Sequence, residues 1–246
     1  MLHPLRSVHL EAALSTERKY KGIQLDPRLK KCAEFVRSGK KVADVGTDHG
    51  YLPIFLLQSE KANFALACDI NKDPLDSAVR NAVKYGETER MRFVLSDGLH
   101  GLCAEDADDI VIAGMGGELI LRIISEVSWL KDTNKHLVLQ PMTTAAQLRR
   151  GLMELGFTIE REETVFDGKK IYSVMSVLYT GACKTEIDPV YEQMGEIVPG
   201  SEHSARYAQS VLHNLQNKKH GLEHKGEDVT SLQAVIEKIT KVYLGE

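Results

Sequence analysis

The stretch VADVGTDHGYLP at residues 42–53 joins a short apolar run, through a segment with two glycines, to a helical pattern. Four more apolar runs follow, each separated from the next by a segment of helical periodicity; they are ALACDI at 65–70, RFVL at 92–95, DIVIAG at 109–114 and HLVLQ at 136–140. The intervening helices are predicted at about 51–59, 74–85, 117–127 and 144–155. Continuous apolar strands that alternate with helices are typical of a parallel sheet covered on both faces. The predicted fold class is therefore α/β, with a doubly wound, Rossmann-like domain.

The next two apolar runs predict a different arrangement. FTIEREETV at 157–165 and KKIYSVMSVLY at 169–179 are joined through Asp167-Gly168, which leaves no room for a helix. Two strands with so short a connection form an antiparallel hairpin. A closing antiparallel strand favours a methyltransferase-like sheet over a dehydrogenase-like one.

Helical patterns flank this central region. Before it, a helix is predicted at 27–37, with Asp26 placed to cap its start and Gly39 after its end. After Cys183 two long polar helices each carry one apolar seam; the seams are Ala208, Val211, Leu212 and Leu215, then Val229, Leu232, Ile236, Ile239 and Tyr243. Gly226 lies between them and permits an antiparallel, coiled-coil hairpin, although two helices lying on the α/β domain would show the same pattern. We therefore divide the chain into an N-terminal extension (1–22), a Rossmann-like domain (23–183) and a C-terminal helical hairpin (184–246).

Composition excludes several classes of protein. Of the 246 residues, 43% are hydrophobic and 27% charged, and no apolar run approaches the roughly 18 residues of a membrane helix. The N-terminus has no signal-peptide pattern, so we expect a cytoplasmic protein, and we expect it to be a monomer. The four cysteines form neither a Cys-x-x-Cys pair nor a zinc-type cluster, which predicts structural thiols and no metal.

The loops that follow the strands carry the candidate chemistry, because ligands of doubly wound sheets bind beyond the carboxyl ends of the strands. The first loop contains Gly46 and Gly50 but lacks the dinucleotide pattern G-x-G-x-x-G. Asp48 would also place a negative charge beside a pyrophosphate. A cationic or zwitterionic ligand therefore suits this loop better.

Acidic residues follow the second and third strands. Asp69 ends the second strand, where a carboxylate can accept hydrogen bonds from both hydroxyls of a ribose. Asp97 precedes Gly98 after the third strand, where it could accept from an adenine amino group. Each of them alone could be a helix cap, but their joint occurrence predicts S-adenosylmethionine rather than NAD. The candidate cofactor-binding residues are Gly46, Thr47, Asp48, Gly50, Asp69, Ile70, Asp97, Gly98, Gly114 and Gly116.

The fourth strand leads into Gly114-Met115-Gly116-Gly117, without the Asn/Asp-Pro-Pro-aromatic tetrad that holds an exocyclic amino group. Backbone groups would then contact a flat substrate, and Met115 would form a soft apolar wall beside the reacting atoms. A glycine-rich turn required only for helix packing is the alternative.

Taken together, VADVGTDHGYLP (42–53), ACDIN (67–71), SDGL (96–99) and IAGMGG (112–117) resemble the bacterial TrmK family, the tRNA adenine-22 N1-methyltransferases. The resemblance extends from about Leu25 to the C-terminus and includes LVLQP (137–141). It implies a seven-stranded class I methyltransferase domain with a C-terminal coiled-coil hairpin. The implied activity is methylation of a D-arm adenine of tRNA with S-adenosylmethionine as the methyl donor.

The acceptor atom determines the expected mechanism. N1 of adenine has an in-plane lone pair and attacks the methyl group directly, so alignment matters more than a strong base. The product is a cationic adenine, which a carboxylate would stabilise. We take Asp48 as the charge stabiliser and His49 as the orienting or proton-accepting group. Alternatively, Asp48 holds only the methionine ammonium and His49 only packs.

Positive charge is concentrated near the N-terminus: residues 1–41 contain ten Lys or Arg against four Asp or Glu, although the whole chain has a net charge of −4. Such asymmetry is typical of a nucleic-acid contact patch, but a charged amphipathic helix also produces it. The candidate RNA-binding residues are Arg28, Lys30, Lys31, Arg37, Lys40 and Lys41. A methyltransferase for a small molecule and a non-catalytic RNA-binding protein with this fold are the competing hypotheses.

Overall fold

Seven strands and eight α-helices are found in the computed structural model, which describes residues 22–245. The strands are β1 Lys40–Val45, β2 Ala62–Asp69, β3 Met91–Leu95, β4 Asp109–Gly116, β5 His136–Thr143, β6 Phe157–Asp167 and β7 Lys170–Tyr179. The helices are α1 Pro27–Phe35, α2 Tyr51–Gln58, α3 Lys72–Tyr85, α4 Gly117–Ser125, α5 Ala145–Glu154, α6 Pro189–Met194, α7 Glu202–His224 and α8 Thr230–Leu244. The predicted N-terminal extension lies outside the described residues except for Gly22.

All seven strands form one sheet in the order β3-β2-β1-β4-β5-β7-β6. Strands β1 to β5 are parallel, whereas β7 runs antiparallel to both β5 and β6. Both the α/β prediction and the predicted hairpin are thereby confirmed. The hairpin loop is Gly168-Lys169, one residue later than predicted, because Asp167 still pairs with Lys170 and Gly168 adopts a φ of 60°.

The strands are buried on both faces because their side chains alternate between two apolar layers. In β2, Ala65 and Ala67 pack with α1, α2 and α3, whereas Leu66 and Cys68 pack with α4 and α5. This explains why the strands appear as continuous apolar runs in the sequence. It also leaves the strand ends as the places where polar groups can gather.

Helix α1 begins as predicted, with Asp26 Oδ1 accepting a hydrogen bond from Leu29 N at 2.8 Å. It ends at Phe35, two residues before the predicted end, because Val36 leaves the helical conformation. Arg37 then donates through its backbone N and its Nε to the carboxylate of Asp109, both at 2.8 Å. This contact fixes the C-terminal end of α1 at the amino end of β4.

The C-terminal helices form a helical hairpin, as predicted. Side chains of α6, α7 and α8 share one apolar cluster, and Gly226 turns the chain between α7 and α8 with a φ of 72°. Helix α6, with Asp188 as its cap, was not predicted from the sequence. Val229 precedes α8 as its N-cap and is not part of the helix itself. The division of domains at residue 183 stays a prediction.

All four cysteines are free thiols. Cys32 and Cys68 are buried, and burial raises the pKa of the Cys68 thiol to about 12, which fits a structural role. Cys103 and Cys183 are exposed, and a structural role for these two stays a prediction. Within the described residues, no helix is long and apolar enough to cross a membrane, and no group of three or more His, Cys, Asp or Glu could hold a metal ion.

A buried arginine joins the helical hairpin to the sheet. Arg149 of α5 is fully buried and donates through Nη2 to Glu162 of β6 at 2.6 Å and to the Tyr207 hydroxyl of α7 at 2.8 Å. Its Nη1 donates to the carbonyl oxygens of Glu192 and Gln193 in α6, at 3.0 Å and 2.7 Å. One guanidinium therefore joins α5 to three other elements of the fold, β6, α6 and α7.

The charge of Arg149 is kept by its partners. Burial disfavours the guanidinium charge, but the Glu162 carboxylate, with Tyr207, outweighs it and raises the pKa of Arg149 above its usual value. Gly195 makes room for the pair, since a Cβ atom there would lie 2.6 Å from Arg149 Nε and would overlap the Glu162 carboxylate. Removing one member would leave the other as an unpaired buried charge.

We therefore expect Arg149→Leu to lower the free energy of unfolding by about 3–5 kcal/mol, because Glu162 would lose its partner in the interior. Urea denaturation measures this loss. The control is Arg150→Leu on the same helix, whose partly exposed pair with Glu192 is worth about 0–1 kcal/mol. Equal losses in the two variants would contradict the role assigned to Arg149.

Candidate active site

The loop after β1 folds tightly over the end of β2. The backbone N atoms of Gly46 and Thr47 both donate to the carbonyl oxygen of Cys68, at 2.8 Å and 2.9 Å. Gly46 has a φ of 79°, and a Cβ atom on it would lie 2.2 Å from Cε of Met115. Glycine is required here by both the conformation and the approach of Met115. The first loop and the carboxyl end of β4 therefore meet at Gly46.

Gly50 ends this loop and starts α2. Its φ is 69°, and a Cβ atom there would lie 2.9 Å from Cβ of Ala78 in α3. Among residues 22–245, no side chain caps α2, so the amide groups of its first turn are left for solvent or a ligand.

A buried carboxyl and a buried hydroxyl, those of Asp44 and Thr47, lie below the loop. Asp44 is buried, and burial raises the pKa of its carboxyl to about 6, helped by the negative charge of Asp69. Thr47 lies close enough to favour the charged form of Asp44. The two side chains make no well-formed hydrogen bond, however, and among residues 22–245 the buried Thr47 hydroxyl has no partner. An unpaired buried hydroxyl beside a carboxylate is a place for a polar or cationic ligand group.

Asp69 ends β2 with part of its carboxylate available. Its Oδ1 accepts from Asn71 N at 2.8 Å, and its backbone oxygen accepts from Ser96 N at 2.8 Å. Ile70 is 60% exposed, and Leu95, which pairs with Asp69 across the strands, is 62% exposed. Two large exposed aliphatic side chains next to a carboxylate can flank the flat ring of a nucleoside. Leu95 was not predicted, although its place at the end of β3 could have indicated it.

The loop after β3 is organised by Ser96. Its hydroxyl accepts from Gly101 N at 2.8 Å and donates to the carbonyl oxygen of Gly98 at 3.1 Å. Gly98 has a φ of 57° and lies against Ile123 of α4. Asp97 is exposed, and its Oδ1 accepts from Arg122 at 3.2 Å. An adenine amino group would therefore have to use the other oxygen of Asp97 or share this one.

Asp48 and His49 lie at the mouth of the cleft. The Asp48 side chain is 83% exposed, and its Oδ2 is 3.4 Å from Nε2 of the half-exposed His49. The His49 ring lies 5.4 Å from that of Tyr51, which is 40% exposed. Asn81 of α3 donates to the His49 carbonyl oxygen at 2.9 Å and fixes the loop. The side chains of Asp48, His49 and Tyr51 are therefore available to a substrate that approaches from solvent.

Gln140 holds the carboxyl end of β4 from its inner side. We call Gly114–Gly116 of β4, together with Gly117 at the start of α4, the β4 turn. Gln140 is buried, and its Oε1 accepts from Gly114 N and from Arg28 Nη1, both at 3.1 Å, while its Nε2 donates to the Pro141 oxygen at 2.9 Å. Gly114 has a φ of 78°. The Gly114 amide is thus occupied and is not available to a substrate. Gln140 was not predicted, although it ends the apolar core of β5 on the same side of the sheet.

The other glycines of this turn are close to β5 and α5. A Cβ atom on Gly116 would lie 3.2 Å from Oγ1 of Thr143, and one on Gly117 would lie 2.5 Å from the Thr144 carbonyl oxygen. The alternative reading, a glycine-rich turn for helix packing, therefore applies to Gly117. Gly114 and Met115 instead border the cleft.

The structure separates the six candidate RNA-binding residues into two groups. Near the cleft, Arg28 is largely buried and binds Asp167 at 2.7 Å and Asp26 at 3.1 Å. Lys31 pairs with Glu163 at 3.1 Å and with Glu34 at 2.6 Å, whereas Lys30 is exposed.

The second group lies at the opposite end of the sheet. Arg37 binds Asp109 at the start of β4, Lys40 begins β1, and Lys41 Nζ donates to the Glu105 oxygen at 3.0 Å. Binding of RNA by all six residues stays a prediction, and it would require the RNA to reach both ends of the strands.

Comparison with known proteins places this geometry in a family. The chain matches the family model "Methyltransferase domain" over residues 25–175. It is 33% identical over 153 residues to the tRNA (adenine(22)-N(1))-methyltransferase of Bacillus subtilis (strain 168), a match that covers 62% of this chain and 64% of that protein. The sequence match thus spans slightly less than two thirds of this relative.

Solved structures match over nearly their whole length. A candidate tRNA (m1A22) methyltransferase from Streptococcus pneumoniae is 30% identical, with a TM-score of 0.76 over 89% of this chain and 99% of that one. The same protein in complex with S-adenosyl-L-methionine is 30% identical, with a TM-score of 0.70 over 87% of this chain and 97% of that one.

The strand order, the cleft at the strand ends and the family model together define a Rossmann-like methyltransferase. Because the match at 30% identity covers 99% of the Streptococcus pneumoniae chain, the resemblance in the sequence motifs is confirmed. The chain belongs to the methyltransferase-domain family and, within it, to the TrmK family of tRNA (m1A22) methyltransferases.

The Gly46 geometry predicts a binding defect that is separable from a loss of stability. Gly46→Ala should lower the free energy of unfolding by about 1–2 kcal/mol through its positive φ. It should also weaken the binding of S-adenosylmethionine by about tenfold or more, since the new methyl group displaces Met115 into the cleft. Calorimetric titration and urea denaturation measure the two effects.

Gly86→Ala is the matched control. Gly86 has a φ of 76°, and within the described part of the chain no atom beyond its two neighbours in sequence lies within 4 Å of a Cβ placed on it. The Gly86→Ala variant should lose as much stability as Gly46→Ala does through its positive φ. It should bind the cofactor as tightly as the wild type does. Normal cofactor affinity in Gly46→Ala would show that the cleft is not built around this glycine.

Proposed function

We propose that this protein transfers a methyl group from S-adenosylmethionine to N1 of adenine 22 in the D arm of tRNA, acting as a monomer in the cytoplasm. The observation that supports this proposal is the match, over 89% of this chain and 99% of the other, to a candidate tRNA (m1A22) methyltransferase that was also solved in complex with S-adenosyl-L-methionine. The cleft described above has the chemistry that this reaction requires.

The residues of the cleft fit the cofactor. The unpaired hydroxyl of Thr47 and the buried carboxyl of Asp44 suit the charged methionine end, and Gly46 lets Met115 pack closely beside this loop. Asp69 would accept from the ribose hydroxyls, with Ile70 and Leu95 beside the adenine ring. When bound, S-adenosylmethionine supplies an electrophilic methyl group on its sulfonium.

The target base would enter beside Gly114 and Met115. Because Gln140 occupies the Gly114 amide, the turn offers carbonyl acceptors to the exocyclic amine of adenine. Met115 forms the apolar wall between the base and Gly46. This arrangement orients N1 without a general base, as an acceptor with an in-plane lone pair requires.

Asp48 and His49 would act on the charge of the product. Methylation makes the adenine cationic, and a carboxylate at the mouth of the cleft stabilises that charge. Asp48 is so exposed that water would screen it in the free protein. Its effect therefore depends on the RNA covering the loop, which also brings Tyr51 against the extruded base.

The electrostatic contact with RNA would begin at the cleft. Lys30 and Lys31 lie on α1 near this side, and Arg28 supports the β4 turn through Gln140. Contacts of Arg37, Lys40 and Lys41 would be made by a more distant part of the tRNA. Arg28 thus combines a positioning role with its predicted RNA contact.

The test is to incubate the protein with S-adenosylmethionine and unmodified tRNA that carries adenine at position 22, beside the same tRNA with guanine there. Mass spectrometry of the digested nucleosides should show 1-methyladenosine from the adenine tRNA alone, because guanine presents a protonated N1. Cofactor binding without any methylated nucleoside would contradict the proposal and favour a small-molecule substrate or a non-catalytic role.

A further inference from the structure

A groove with a volume of about 380 Å³ lies between the carboxyl end of β5 and helix α7. We call it the α5–α7 groove, after the helices that form its two walls, and β7 contributes its floor. The polar residues that line the groove include Thr144, Gln147, Ser173, Tyr207, Asn214 and Lys218. None of them belongs to the cofactor cleft.

The groove adjoins the turn where the target base would bind. Gly116 and Gly117 of that turn lie directly against Thr143 and Thr144, as the distances above show, and both threonines line the groove. A strand of RNA that leaves the β4 turn on this side therefore meets the groove next.

Ser173 provides the first sign of a ligand. Its side chain is 1% exposed, and within the described part of the chain its hydroxyl has no hydrogen-bond partner. Neighbouring Tyr172 and Val174 pack into the apolar layer of α1 and α2, so Ser173 faces the opposite side, toward α5 and α7. Buried hydroxyls are nearly always paired in folded proteins. A ligand atom in the groove would supply the missing partner.

Tyr207 adds a second hydroxyl. Its oxygen accepts a hydrogen bond from Arg149 Nη2 at 2.8 Å, so its own hydrogen remains to be donated. Tyr207 lines the groove. Two hydroxyl donors on one small surface suit an acceptor-rich ligand.

The first turn of α5 forms the adjoining wall. Thr144, its N-cap residue, has a φ of 52°, makes no capping hydrogen bond and instead accepts from Glu118 N at 3.3 Å. The first turn contains no acidic residue. Its amide groups are therefore suited to an anion.

The charges around the groove also favour an anion. Lys218 of α7 makes no ion pair within residues 22–245. Glu192 also lines the groove, but Arg150 holds its carboxylate, and the charge of Arg149 is matched by Glu162. The unpaired charge at this surface is therefore positive.

We propose that the α5–α7 groove binds a phosphate group of the tRNA strand next to the target adenine. Ser173 and Tyr207 donate to the phosphate or its ribose, and Lys218 neutralises the charge. The inference rests on the proposed tRNA substrate and adds a defined contact to it. It also gives the helical hairpin a role, because α7 supplies half of the groove.

The test compares Ser173→Ala and Lys218→Gln with Lys225→Gln, which removes the same charge at the C-cap of α7, about 10 Å from Lys218 along the helix axis. Dissociation constants for tRNA are measured over a range of salt concentrations, with S-adenosylmethionine affinity and Tm measured in parallel. Ser173→Ala and Lys218→Gln should each weaken tRNA binding about tenfold. Lys218→Gln should also lower the salt slope by about one. Lys225→Gln should bind tRNA as the wild type does.

The Tm of Ser173→Ala separates a ligand contact from a packing role. Alanine removes an unpaired buried hydroxyl, so the Tm should stay the same or rise while tRNA binding weakens. A lower Tm together with weaker cofactor binding would show that Ser173 only supports the fold, and would overturn the proposal.

Two other outcomes also overturn it and are distinguishable. If the wild type methylates adenine 22 and both groove variants bind tRNA as tightly as Lys225→Gln, the groove is not a phosphate site and the proposed function stands. If the wild type neither binds nor methylates tRNA, the proposed function fails and this inference fails with it.

Discussion

The carboxyl ends of all five parallel strands lie at the same end of the sheet, and this constraint determines where every part of the candidate site lies. The order β3-β2-β1-β4 makes neighbours of strands that are far apart in sequence, so the loops that leave them converge. Asp69 thereby comes near Asp44, and Met115 is laid against Gly46. Neither contact depends on a specific pairing of the side chains themselves; both follow from strand order and from glycines that allow the backbone to approach closely.

The second constraint is the buried charge of Arg149. A guanidinium without water needs partners on every side, and the chain supplies them from β6, α6 and α7. The helical hairpin is thus seated on the sheet at one defined place. That place sets the width of the α5–α7 groove, because Tyr207 both binds Arg149 and lines the groove. A single ionic cluster therefore links the stability of the fold to the surface proposed for RNA.

The strands, their connecting helices and the hairpin were predictable because periodicity and turn residues are local signals. Buried ion pairs were not, since Arg149 and Glu162 look like ordinary surface charges of their own helix and strand. The same limit applies to the basic residues near the N-terminus. Charge counting indicated a patch, but it could not show that Arg37 binds Asp109, 72 residues away, or that Arg28 is largely buried. The glycines and aspartates at the strand ends were found because spacing from a strand can be read directly, whereas Leu95 and Gln140 resemble core residues until the sheet is assembled.

The strand-end cleft around Gly46 and Asp69 is the proposed binding site of S-adenosylmethionine. A crystal structure of the protein with S-adenosylhomocysteine, the product form of the cofactor, tests this assignment. The ribose hydroxyls should lie on the Asp69 carboxylate, the adenine beside Ile70 and Leu95, and the amino-acid end at Thr47. Binding of the ligand in the α5–α7 groove, or with its ribose away from Asp69, would show that this cleft is not the cofactor site.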